Sequence, residues 1–173
     1  FWVWDTPPGD LRVKIEQTLL GIGVSQADVD RLLRHRAYPL SYQAALTAAM
    51  EAMGEVNGHE NTMPRALSVQ TVDQARFVVN TMRMLQRYHE TVQPLREIDV
   101  QGTVFAITDK DTMVIAAPVD YVSWSEMLDR FSANDRFSSK PREMYIAGTM
   151  TTMASEQLSK RGWIVHQNSD LFN

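Results

Sequence analysis

The chain has 173 residues, no cysteine, and 17 Lys and Arg against 21 Asp and Glu, for a net charge of −4. That length suits one domain with a sizeable core. The missing cysteines exclude disulfides, thiolate metal centres and cysteine nucleophiles. The acidic balance argues against nucleic acid or an anionic membrane as a broad electrostatic partner, and no apolar run is long enough to span a bilayer.

The sequence opens Phe1-Trp2-Val3-Trp4 and continues Asp5-Thr6-Pro7-Pro8. Starting without Met, it reads as a processed product or as part of a larger protein or assembly. With no cysteine, that start leans towards a bacterial-type envelope or secreted protein. Phe1, Trp2 and Trp4 read either as an edge strand packed on the core or as the anchor for a protein partner, an absent parent domain or a membrane interface.

Asp10 is placed to cap a first helix carrying Leu11, Ile15 and Leu19 on one face, stopped by Gly21 and Gly23. Ser25, with Asp28 three residues on, starts a second helix with Val29, Leu32 and Leu33 inward. Pro39 breaks the pattern. Ser41 then caps an alanine-rich third helix ending at Gly54. Residues 54–67 read as a polar connection. Thr71 and Gln74 form a capping box for the longest helix, whose stripe is Ala75, Val78, Val79, Met82 and Leu85 and whose end lies near Pro94.

After Arg96 the period changes. Residues 98–108 alternate as a strand, Thr108-Asp109-Lys110-Asp111-Thr112 makes a hairpin turn, and 113–122 return, limited by Pro118. Ser123 or Ser125 caps a helix through Met127, Leu128 and Phe131. The near-continuous apolar run at Met144–Ala147 predicts a strand covered on both faces. A helix ending at Gly162 and a last strand from Trp163 complete the chain. The predicted fold is α+β or α/β: a helical half of about four helices over 1–96, packed with a three-layer ββαβαβ unit over 97–173, in one domain.

Two places suit chemistry. The turn Gly148-Thr149-Met150-Thr151-Thr152 lies between an apolar strand and a helix, where open α/β sheets bind ligands. Backbone amides at Gly148 and the hydroxyls of Thr149, Thr151 and Thr152 suit an anion or phosphate. The plainer reading is a helix cap after a tight turn, since no GxGxxG and no P-loop lysine accompany it. Asp109 and Asp111, with Asp120 nearby, are spaced to ligate Mg²⁺, the one cofactor the sequence suggests; Asp-Lys-Asp is also ordinary turn chemistry.

Taken together, the strand leading to Asp109-Lys110-Asp111 and the later strand–Gly148-Thr149–helix resemble the first two motifs of the haloacid-dehalogenase-like phosphotransferases. The resemblance implies Asp109 as nucleophile, Asp111 as acid/base and Thr149 as phosphate contact. Thr112 follows Asp111 directly, where the family has a small residue first. The short tail after Thr149 leaves no room for the later motifs.

His35, His59, His89 and His166 are not spaced as metal ligands, and His59, in the polar stretch His59-Glu60-Asn61, reads as solvated, with a catalytic role as the alternative. Arg31, Arg34 and Arg36 read as a basic face on one short helix, solvated or contacting a partner, phosphate or lipid headgroup. The ten methionines read mainly as core, and also suit adaptable binding surfaces. No serine sits in GxSxG. The leading expectation is therefore a non-enzymatic interaction or structural module; the alternative is a phosphate- or nucleotide-binding enzyme using Asp109, Asp111 and the Gly148–Thr152 turn. The alternative requires those residues to meet at one end of the sheet.

Overall fold

Alternation along three central strands decides the architecture. In a strand, successive side chains face opposite ways. Val104, Ala106, Val114, Ala116 and Tyr145 face one core, while Phe105, Ile107, Met113, Ile115, Met144 and Ile146 face another. A sheet apolar on both faces needs a layer on each.

The structure, a computed structural model, describes residues 6–172. Five helices form the first layer: α1 (Pro8–Gly21), α2 (Gln26–Leu33), α3 (Leu40–Ala52), α4 (His59–Leu67) and α5 (Val72–Thr91). The sheet contains β1 (Leu95–Gln101), β2 (Thr103–Thr108), β3 (Met113–Ala117), β5 (Arg142–Ile146) and β7 (Trp163–His166), in the order β1-β2-β3-β5-β7. β1–β2 and β2–β3 are antiparallel; β3–β5 and β5–β7 are parallel. A small second sheet pairs β4 (Tyr121–Val122) with β6 (Thr149–Met150). The third layer holds α6 (Glu126–Ser132) and α7 (Thr152–Lys160), which cover the Phe105–Trp163 core. The expected α/β character and N-terminal helical half are present.

The capping chemistry is largely as the sequence dictates. Ser25, Thr71, Ser125 and Thr151 each accept a hydrogen bond from the amide three residues on. Asp10 and Ser41 do not cap. Pro7 and Pro39 occupy those positions, and the helices start at Pro8 and Leu40, because proline's fixed φ suits helix entry.

Three expectations need correction. The polar stretch 54–67 is not a simple connection: α4 begins at His59 and carries Pro64 inside it. Gly58 starts α4 at φ +93°, and a methyl group there would meet the Ile98 carbonyl oxygen at 2.0 Å. The tightness arises because Asn57 pairs with the outer edge of β1, donating to Arg96 O and accepting from Ile98 N. The stretch 98–108 is two strands rather than one, folded back at Gly102 (φ +73°). The return strand stops at Ala117, before Pro118, and the rest of it joins the small sheet.

Candidate functional site

Parallel strands β3 and β5 give the sheet a carboxyl end and an amino end, and the predicted residues divide between them. The Gly148–Thr152 turn is at the carboxyl end. Asp109 and Asp111 precede β3 at its amino end, where Met113 N donates to Pro141 O, just before β5. The five residues of β3 separate the two by about 13 Å of strand rise. The carboxylates and the threonine turn therefore do not form one site, and the condition for the phosphotransferase-like arrangement is not met.

At the amino end the hairpin is a packed turn. Asp111 adopts φ +66°, its amide donating to Thr108 O while the Thr112 amide donates to Thr108 Oγ1. Asp109 accepts from Gln93 Nε2 at 2.6 Å. Asp111 is bonded by Lys140 and by Arg96, the latter at 2.9 Å, and these bonds hold its carboxyl below the usual range. Two cations already satisfy the proposed acid/base.

At the carboxyl end four successive backbone amides, from Gly148 to Thr151, are used within the fold. The amides of Gly148, Thr149 and Thr151 donate to the carbonyls of Val119, Asp120 and Val122, and Met150 N donates to Gln167 Oε1. Thr151 Oγ1 accepts from Ala154 N at 3.1 Å. The amides expected to cradle an anion are committed to the fold. Gly148 is required by close approach, since a methyl group there would stand 1.9 Å from Asp120 O.

This end presents two large apolar side chains outward among exposed polar ones. Tyr121, in register with Thr149, is 64% exposed; Met153, in the first turn of α7, is 60% exposed; Thr149 and Thr152 are exposed beside them. Met127, at the start of α6, is 80% exposed. The other eight methionines are buried, so the core reading holds for them and fails for these two. Phe1, Trp2 and Trp4 lie outside the described residues.

His59 is buried rather than solvated. Its Nε2 donates to Met53 O at 2.7 Å, which leaves Nδ1 buried without a partner, and burial lowers its pKa. His35 and His89 use ring nitrogens to hold backbone at Ala37, Leu67 and Leu95. Among the described residues no three His, Asp or Glu converge as a metal centre.

Sequence reasoning missed a polar row on the helix-facing side of the sheet. His166 stacks on Tyr145 with centroids 4.2 Å apart, and its Nε2 is 3.5 Å from Glu143 Oε1. Tyr145 OH is 3.4 Å from Glu143 Oε2, and Tyr88 of α5 meets Tyr145 edge-on. Burial first, then Glu143 and Asp109, push the Tyr88 phenol up to about 12. The period-two spacing of Glu143 and Tyr145 was visible; their register with His166 depends on the strand pairing.

The arginines do not share a helix face. Arg31 is in α2, Arg34 ends it, and Arg36 lies beyond it. They line an open cleft of about 520 Å³ between the end of α2 and the α4–α5 connection; the cleft between α5 and Leu171–Phe172 is smaller, at about 150 Å³.

Comparison with protein-family models, with curated proteins and with solved structures finds no match to this chain.

Proposed function

We propose that this domain is a non-enzymatic interaction module that docks a protein partner on the carboxyl end of its parallel strands. The observation that carries this reading is the pair Tyr121 and Met153. Both are largely exposed, and both stand on backbone held rigid by the β4–β6 pairing and by the Thr151 cap. Large apolar side chains on an ordered platform lose little conformational entropy on binding, and aromatic residues and methionine are enriched at interfaces. Thr149 and Thr152 supply polar contacts at the rim.

The experiment is site-specific photo-crosslinking in the cells that make the protein. A crosslinker at Met153 is expected to capture one recurrent protein. The same group at Val13, 51% exposed on α1, is expected not to capture it. Identical adducts from both positions, or none from Met153, would remove this face from consideration.

A further inference from the structure

A second face, independent of the one above, lies in the helical layer. We infer that the cleft between α2 and the α4–α5 connection binds an acidic peptide segment carrying an apolar side chain. Its rim is Arg31, Arg34 and Arg36, and its floor includes Leu67 and Val69, both buried. Arg36 makes no hydrogen bond or ion pair with any other described residue. Arg31 meets Asp28 through Nη1 at 3.4 Å, which leaves its other donors open; Arg34 spends Nη2 on the Asp30 carboxylate at 3.7 Å and Nε on the Asp30 carbonyl, which leaves its Nη1 open.

Two features prepare the cleft for a negative charge. A helix C-terminus ordinarily repels anions through its unpaired carbonyls. Here three carbonyls of the last turn of α2 are already covered: Gln43 Nε2 donates to Leu32 O, Arg12 Nη1 to Leu33 O, and Arg34 Nε to Asp30 O. The two walls are also tied together. His35 Nδ1 accepts from Ala37 N, so its Nε2 donates across the cleft to Leu67 O at 3.2 Å, and its ring packs edge-on to Tyr38. Arginine forks match carboxylates bidentately, and the exposed edge of Leu67, with Val69 beneath, gives one apolar side chain a place between them.

The test is fluorescence anisotropy of a labelled glutamate–leucine peptide with the whole protein at low salt. Saturable binding that weakens as salt rises is expected. Arg36→Glu and Gln70→Glu, both at exposed positions on opposite walls, should each weaken it by about tenfold or more. Arg130→Glu, on exposed α6, should leave it unchanged. No saturable binding, equal binding by Arg36→Glu, or equal binding of a glutamate-only peptide would overturn the inference. So would binding to phosphatidylglycerol vesicles, abolished by Arg36→Glu, with none to the peptide; that result would assign the cleft to a lipid surface.

Discussion

The α-carbon of Gly148 lies so close to Asp120 that an added methyl group would stand 1.9 Å from the Asp120 carbonyl oxygen and 2.4 Å from its carbonyl carbon. The neighbour is backbone, pinned by Thr149 N donating to the same oxygen at 2.9 Å, so it cannot rotate away. This contact makes Gly148 a joint between two crossing chains. Gly148→Ala is expected to cost about 3 kcal/mol, the upper range for an overpacked site. The urea midpoint measures it, and an unchanged slope would show that the denatured state is not responsible.

Thr151 and Thr149 should separate by mechanism. Thr151→Ala removes the cap on α7 and should cost about 1 kcal/mol. Thr149→Val, at an exposed hydroxyl, should cost little. If the turn held phosphate, a ligand at about 100 times its dissociation constant would add roughly 2.7 kcal/mol. Thermal melts with Mg²⁺, phosphate and nucleotides are expected to be flat, because the amides from Gly148 to Thr151 and the Asp111 carboxylate already have partners. A shift lost in Asp109→Asn or Thr149→Val would restore the enzyme reading.

His59 should make stability pH-dependent. Burial lowers its native pKa below the ordinary 6.5, against smaller opposing effects of the Met53 carbonyl and Glu60. Below 6.5 the unfolded chain binds the proton more readily than the native one, so this contribution is present above 6.5 and lost as pH falls towards the native value. His59→Gln retains a donor for Met53 O and removes the titration. Its urea midpoint should decline less than the wild type's between neutral pH and about pH 5.

Methionine oxidation should follow exposure. Dilute peroxide should convert Met127 and Met153 first, while the eight buried methionines react only as the fold opens. Peptide mass spectrometry at early times reads the order. Early oxidation of Met150 or Met144 would place the carboxyl end of the sheet in a different packing.

The parts of the fold that follow local rules were readable in the sequence. The Thr71 cap and the 3.6-residue stripe from Ala75 to Leu85 locate α5, and the Met144–Ile146 run marks a strand, though only its Met144 and Ile146 face is buried and its Glu143 and Tyr145 face is half-buried. What was hidden depends on contacts distant in sequence. The polar surface of α4 and its internal Pro64 concealed a helix whose inner face, Met63 and Ala66, is fixed by packing, and whose start depends on Gly58 passing under Ile98 O. Gly102 sits within a well-alternating stretch, and only the Gln101–Thr103 pairing shows that the chain reverses there. The candidate site divided for the same reason. Asp109 and Gly148 each have plausible neighbours in sequence, but the parallel direction of β3 and β5 puts them at opposite ends.

The central claim is that Tyr121 and Met153 carry partner binding. The most direct measurement is the affinity of the protein captured at Met153, by calorimetry, for wild type, Tyr121→Glu with Met153→Glu, and Val13→Glu. All three positions are exposed, so the fold should survive each change. The account predicts about a hundredfold weaker binding for the double variant, as expected when central apolar anchors are replaced by charge, and none lost for Val13→Glu. Equal affinity in all three would contradict it.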